Sequence, residues 1–168
     1  MTSFRVEVLT ENYWPRLRDI RLTALNADPT AFLSSHKTED AFSEQRWRQE
    51  FARGEWNVMR AADHDPGHRD VGLLGVTRLP ATPSQECYLE YLWVAPGVRH
   101  RGVASNLLRT VLDRLRDSGV GTVWLYILDG NDRAMRLYRR FGFQRTNEPE
   151  PLPDDPTRSE ERMWLRLY

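Results

Sequence analysis

The chain has only one cysteine, Cys87, among its 168 residues. One cysteine cannot form an intrachain disulfide framework, and it cannot supply a cysteine-rich zinc site. Cys87 begins a stretch of aromatic and aliphatic residues that is typical of a strand. We therefore expect a buried, inert thiol there rather than a nucleophile.

Long apolar runs are also absent. No stretch of about 18 apolar residues occurs, and the N-terminus lacks the apolar core of a signal peptide. Lysine and arginine together number 24, as do aspartate and glutamate, so the net charge is zero. A neutral chain gives no electrostatic reason to expect a nucleic-acid or membrane partner. We expect a cytoplasmic protein.

Two common phosphate-binding patterns are missing. The sequence contains neither Gly-x-Gly-x-x-Gly nor Gly-Lys-Ser/Thr, so a nucleotide-binding α/β protein ranks last among the functional hypotheses. The hydrophobic content of 40% and charged content of 29% are ordinary for a globular protein. The length fits a single domain over residues 1–168.

The apolar pattern of the N-terminal half predicts alternating strands and helices. The expected elements are a strand near 4–8, a helix from about Thr10 to Leu25, a helix from about Thr38 to Arg53, and a hairpin of strands 56–61 and 71–79. Residues 62–70, between the hairpin strands, contain His64 and His68 beside three aspartates. The loop has no third, well-spaced metal ligand on a rigid element, so we expect a solvated turn and no metal site.

The C-terminal half predicts a strand–helix–strand unit. Residues 87–94 form a strand, and apolar residues from Val103 onward have helical spacing up to a stop at Gly119. Within residues 122–127, the residues that would face either side of a strand are apolar. This predicts a strand that is buried on both faces and runs parallel to the first. A further helix and two more strands follow. Residues 147–156 carry four prolines and four acidic residues, which favours a solvated, mobile connection over an acidic lip for a cationic acceptor.

The junction at residues 99–104 has the properties of an anion site. Arg99 and Arg101 add positive charge where a helix begins, and unpaired N–H groups and the helix dipole point outward there. Gly102 allows the backbone to come close to a ligand. A helix entry with solvated arginines is the plainer interpretation of this stretch alone.

Three motifs in order resemble the GCN5-related N-acetyltransferase (GNAT) superfamily. Arg99-x-x-Gly102-x-Ala104 is similar to its acyl-CoA signature, with alanine in place of the commoner second glycine. Asn131 to Ala134 and Tyr138 to Phe143 resemble the helix and closing Gly-Phe downstream. The resemblance implies an α/β (α+β) fold with a central mixed sheet, splayed fourth and fifth strands, and flanking helices. It also implies acetyl-CoA as co-substrate and no metal.

The resemblance assigns roles to residues of this chain. The implied cofactor-binding residues are Leu92, Trp93, Val94, Arg99, His100, Arg101, Gly102, Val103, Ala104, Ser105, Asn131, Ala134 and Tyr138. Of these, the three strand residues would lie along the pantetheine arm, while the loop would wrap the diphosphate. Asn131 has a helix N-cap as its alternative role.

Two residues are candidates for proton transfer. Glu90 is a lone carboxylate in an apolar strand, which is costly unless the group is paired or functional. It is the candidate general base, although an edge-facing or salt-bridged glutamate remains an alternative, and Asp28 or Glu11 could orient the acceptor. Tyr138 is the candidate general acid for the departing thiolate, with core packing as its alternative.

The leading hypothesis is direct acetyl transfer from acetyl-CoA to a primary amine of a small molecule or peptide. A non-catalytic acyl-CoA-binding sensor or interaction module on the same fold would need the loop but neither Glu90 nor Tyr138. The candidate acceptors are a small amine, an amino acid, a polyamine, an aminoglycoside-like antibiotic or a protein N-terminus. The resemblance leaves a homodimer open.

Overall fold

The structure is a computed structural model that describes residues 3–61 and 69–168. Its strands form one seven-stranded sheet in the order β1-β2-β3-β4-β5-β7-β6. The strands are β1 (Phe4–Leu9), β2 (Gly54–Ala61), β3 (Asp70–Thr77), β4 (Glu86–Val94), β5 (Thr122–Leu128), β6 (Gln144–Leu152) and β7 (Asp155–Arg166). The helices are α1 (Trp14–Ala27), α2 (His36–Asp40), α3 (Glu44–Arg53), α4 (Val103–Asp117) and α5 (Asp132–Arg140). The predicted mixed α/β class is confirmed.

The β4–β5 pair gives the sheet its opening. These two strands run parallel, while the other neighbouring pairs are antiparallel. Their pairing extends only from Glu86↔Thr122 to Leu89↔Leu125. Both strands continue beyond that point, so they diverge and leave a V-shaped gap in the sheet. The predicted parallel pair and its splaying are confirmed.

Two apolar clusters lie on opposite faces of the sheet. Side chains alternate along a strand, so neighbouring residues supply different clusters. One cluster joins α4 and α5 to the sheet and includes Leu107, Val123 and Tyr138. The other joins α1 and α3 to the sheet and includes Leu17 and Trp56. Each face therefore has its own set of helices.

Helix α4 follows directly from its sequence pattern. Its buried residues are Val103, Leu107, Leu108, Val111, Leu112 and Leu115. They recur at three- and four-residue intervals, so one continuous stripe faces the sheet. Gly119 then takes a φ of 86°, which permits the chain to leave the helix.

The N-terminal helices differ from the prediction in their ends. The first begins only at Trp14, after a 3-10 turn over Glu11–Tyr13. The single helix predicted for 38–53 is wrong, because the chain forms two helices, α2 and α3. Ser43 accepts a hydrogen bond from the Arg46 backbone N–H at 3.2 Å and so starts α3 as its N-cap. A capping serine offers the backbone an alternative to continued helix.

Strand β5 is buried on one face only, so the prediction of burial on both faces is wrong. Val123, Leu125 and Ile127 are buried, but Tyr126 remains 43% exposed and stacks with Tyr88. The reason is the position of the helices. On that face α1 and α3 contact β3 and β2, away from β5.

The proline-rich acidic segment is a β-hairpin and not a mobile connection. Strand β6 runs through it to Leu152, and β7 starts at Asp155. Pro149 and Pro151 are tolerated because β6 is an edge strand, where a missing N–H costs no ladder bond on the open side. The prediction failed because prolines argue against central strands but not against edge strands.

Some predictions cannot be followed in the structure. His64, His68 and most of their loop lie outside the described residues. Within residues 3–61 and 69–168 no group of three or more His, Cys, Asp and Glu side chains is arranged for a metal ion. None of the helices in those ranges combines the length and the apolar content of a membrane span.

Candidate active site

The loop before α4 has a backbone that exposes N–H groups. His100 and Gly102 both have left-handed φ angles, 63° and 75°. Gly102 is the N-cap of α4 and has no side chain to accept a hydrogen bond from the first turn. The initial N–H groups of the helix therefore remain available to an anion, reinforced by the helix dipole. A Cβ added at Gly102 would meet no atom within 4 Å, so the space beside it is open.

A cavity of about 650 Å³ lies against this loop. It is bounded by the α1–α2 connection, the end of β4, the start of α4 and one side of α5. The predicted residues that line it are Leu92, Trp93, Val94, Arg99, His100, Gly102, Val103, Ala104, Ser105, Asn131, Ala134 and Tyr138. Arg101 and Glu90 do not line it. The fold thus brings together, around one cavity, residues of β4, α4 and α5 that lie far apart in the sequence.

Arg99 makes contacts that the sequence did not predict. Its Nε donates to the Val94 carbonyl at 2.8 Å, and its Nη2 donates to Asp28 Oδ2. Trp93 Nε1 donates to the same Asp28 oxygen at 2.8 Å. Burial alone would raise the pKa of Asp28, but these hydrogen bonds from Trp93 and Arg99 keep it below its usual range. Arg99 therefore joins the α1–α2 connection to the loop of residues 99–104, which we call the anion loop.

Tyr138 projects from α5 into the core beside the cavity. It is 7% exposed and meets Phe143 edge-on, with ring centroids 5.4 Å apart. Burial raises the pKa of its phenol well above the usual range, so the hydroxyl stays protonated near neutral pH. Such a group can donate a proton. The same contacts also fit its alternative role in core packing.

Asn131 is the N-cap of α5. Its Oδ1 accepts a hydrogen bond from the Ala134 backbone N–H at 3.2 Å. A side-chain oxygen in this position satisfies one of the unpaired donors of the first turn. The capping role that the sequence left open is therefore present, and Asn131 also borders the cavity.

Glu90 lies on the other face of the sheet. A Cβ atom added to Gly75 would lie 3.0 Å from the Cγ of Glu90. The same added atom would also contact the ring of Trp56, which belongs to the α1–α3 cluster. Burial raises the pKa of Glu90, and Arg53 and Arg21 only partly oppose this effect. A carboxylate with a raised pKa next to an opening is a better proton acceptor than an exposed one.

The two proton-transfer candidates thus lie on opposite faces of the sheet. Tyr138 belongs to the α4–α5 face with the cavity, and Glu90 belongs to the α1–α3 face. Beyond Leu89 and Leu125 no β4–β5 pair separates the two faces. The sheet is therefore open between its two faces beyond these residues.

Helix α5 contributes cationic residues that sequence reasoning missed. Arg133, Arg136 and Arg140 all line the cavity. Their spacing of three and four residues places them on one side of a helix, and this signal was present in the sequence. It was hidden because α5 carries a fourth arginine, Arg139, between them.

Comparisons with known proteins agree with this geometry. Residues 14–143 match the family described as the acetyltransferase (GNAT) family. A segment of 75 residues is 41% identical to the N-alpha-acetyltransferase RimI of Mycobacterium tuberculosis, covering 45% of this chain and 46% of that protein. The chain therefore spans less than half the length of this curated relative.

Solved structures share the fold over nearly the whole chain. The ribosomal-protein-S18-alanine N-acetyltransferase of Escherichia coli matches with a TM-score of 0.69 at 18% identity, covering 98% of this chain and 94% of that one. The protein yncA of Salmonella typhimurium, solved with its cofactor acetyl-CoA, matches with a TM-score of 0.75 at 17% identity and the same coverage. Since the family match extends over most of the sequence, this chain belongs to the acetyltransferase (GNAT) family.

Proposed function

We propose that the protein is an N-acetyltransferase that moves an acetyl group from acetyl-CoA to a primary amine of a small molecule or peptide. The observation that carries the proposal is the cavity on the α4–α5 face, which is lined by β4 residues beyond the last β4–β5 pair, while Glu90 lies on the other face of the sheet. Family membership supports the reaction class. Residues 1–168 would act as one catalytic domain.

The anion loop fits a diphosphate. The first N–H groups of α4 and the open space beside Gly102 suit an anion that approaches the backbone closely. Arg133, Arg136 and Arg140 add positive charge along the cavity. Leu92 and Val94, in the apolar cluster of the same face, suit the pantetheine arm. Bound acetyl-CoA supplies an activated acetyl thioester.

The chain's own residues would move two protons. Glu90 accepts the proton that the attacking amine loses as the new C–N bond forms. Tyr138 donates its hydroxyl proton to the sulfur as the C–S bond breaks. Both pKa values are raised by burial, which favours a base near neutral pH for Glu90 and a protonated phenol for Tyr138.

A two-part experiment tests the proposal. Calorimetry should detect acetyl-CoA binding, and a panel of primary amines should release free thiol with acetylated products detected by mass spectrometry. The panel should include diamines, amino acids, aminoglycosides and peptides with free N-termini. Binding without product on any amine would favour the non-catalytic acyl-CoA sensor, and no binding would remove both hypotheses.

A further inference from the structure

Tyr91 has a backbone conformation that is unusual for its residue type. Its φ angle is 57°, in the left-handed region where the Cβ of residues other than glycine is crowded. Tyr91 directly follows Glu90, and β4 has ended its pairing with β5 at Leu89. Strain of this kind clusters at functional sites and persists only where the surrounding structure holds it.

The strained residue belongs to a β-bulge. The single β3 residue between Leu73 and Gly75 lies opposite two residues of β4, Tyr91 and Leu92. A bulge bends its strand and changes the direction of the backbone groups and side chains around it. This bulge borders the gap between β4 and β5, where the proposed acetyl transfer takes place.

Arg21 of α1 fixes the Tyr91 side chain. Its Nη2 donates to the Tyr91 hydroxyl at 3.0 Å, and its guanidinium lies 4.3 Å from the ring centroid. The Tyr91 hydroxyl donates in turn to Glu39 Oε1 at 3.3 Å. Phe32 stacks on the ring with centroids 5.7 Å apart. The hydroxyl and the ring are therefore both restrained.

Two buried carboxylates fix Arg21. Glu39 of α2 accepts hydrogen bonds from Arg21 Nε at 2.8 Å and from Arg21 Nη2 at 2.5 Å. Glu50 of α3 accepts one from Arg21 Nη1 at 2.8 Å. All three side chains are at most 3% exposed. Buried charges persist only when paired and hydrogen-bonded, and the fork of arginine suits such two-point contacts. The Arg21 network (Arg21, Glu39, Glu50 and Tyr91) thus joins three helices to the bulge.

We infer that Arg21 and Glu39 are positioning residues for acetyl transfer, which hold the β4 bulge in its left-handed conformation through the hydroxyl of Tyr91. Neither residue lines the cavity. Their effect on catalysis is exerted through the shape of the gap next to Glu90. The inference rests on the proposed function, because its kinetic effect is measured on acetyl transfer.

The variant Tyr91→Phe tests the inference, because it removes only the hydroxyl and keeps the ring volume. We expect kcat to fall about 10- to 100-fold, the size of effect caused by a displacement of ~1 Å in an active site. The dissociation constant for acetyl-CoA should stay unchanged. A crystal structure of the variant should show residue 91 outside the left-handed region. A left-handed residue 91 in this variant would overturn the inference, and so would wild-type kcat.

Two further variants separate positioning from stability. Val58→Ala removes buried volume from the α1–α3 cluster outside the network, so it should lower the melting temperature and leave kcat unchanged. An equal loss of kcat in this control at a matched melting temperature would refute the positioning role. Glu39→Gln combined with Tyr91→Phe should lower kcat no further than the worse single variant, because both act through one network. Additive losses would contradict it.

Failure of the proposed function gives a different result. If the wild-type protein binds acetyl-CoA and acetylates no amine, the enzyme proposal fails. The conformation of residue 91 in the Tyr91→Phe crystal structure then still decides whether the Arg21 network holds the bulge.

Discussion

Tyr138 is the residue for which a catalytic and a structural role make different forecasts. Tyr138→Phe removes the proton donor but keeps the edge-on contact with Phe143, so the melting temperature should not change. Turnover should fall by roughly 10²-fold if the phenol protonates the leaving sulfur. Acetyl-CoA affinity should change little. Unaltered turnover together with an unaltered melting temperature would leave Tyr138 as a packing residue only.

Glu90 should determine how the rate depends on pH. Because burial raises its pKa, the active carboxylate form increases with pH across a range above that of an exposed glutamate. Glu90→Gln should lose turnover most at neutral pH and recover partly at high pH, where more of the amine is neutral. The loss at neutral pH should lie within the ~10²–10⁴-fold range of general-base catalysis. A variant with wild-type rates from about pH 6 to 9 would place the base elsewhere.

The same group should cost stability. The pKa of Glu90 is higher in the folded protein than in the unfolded chain. The stability that its neutral form contributes is therefore present below the unfolded pKa, and it is lost as the pH rises through the folded pKa. Glu90→Gln cannot ionise and should therefore unfold at higher urea concentration than the wild-type protein at neutral pH. The difference should shrink as the pH approaches about 4, the ordinary glutamate value. A difference independent of pH would contradict a raised pKa.

The loop and first turn of α4 act together as one element. Gly102→Asp adds a Cβ at a left-handed position and a negative charge beside the proposed diphosphate site. Acetyl-CoA affinity measured by calorimetry should fall sharply in a variant that is still folded. Gly97→Asp is the control, because it adds the same charge five residues earlier, at an open position outside the cavity lining. Equal losses in both variants would indicate a general charge effect and not a specific site.

The architecture of the whole molecule predicts direct transfer without a covalent acetyl-enzyme. If Glu90 and Tyr138 act as base and acid from opposite faces of the sheet, both substrates are present in the gap together. Cys87 is fully buried, and burial raises the pKa of its thiol to about 11, which leaves it unreactive. Initial rates should give intersecting patterns when both substrates are varied. Parallel lines, or an acetylated enzyme in mass spectra after acetyl-CoA alone, would contradict direct transfer.

Predictions that depend only on residues close together in the sequence agreed best with the structure. The α4 stripe from Val103 to Leu115 is fixed by helical periodicity, and Gly119 ends it through its own backbone freedom. The split between α2 and α3 was missed because the cap at Ser43 competes with an otherwise helical pattern. The assignment of residues 1–168 to one domain and the cytoplasmic location stay predictions.

Apart from the split between α2 and α3, the sequence by itself determined the order of strands and helices and the loop motif around Gly102, because periodicity, turn residues and motifs are local. Only the tertiary structure decided which residues meet. Arg99 contacts Asp28 from 71 positions away, and Arg21 contacts Tyr91 from 70. Contacts of this range depend on how helices pack on each face of the sheet, and no local pattern encodes them. The same packing sets Glu90 and Tyr138 on opposite faces of the sheet.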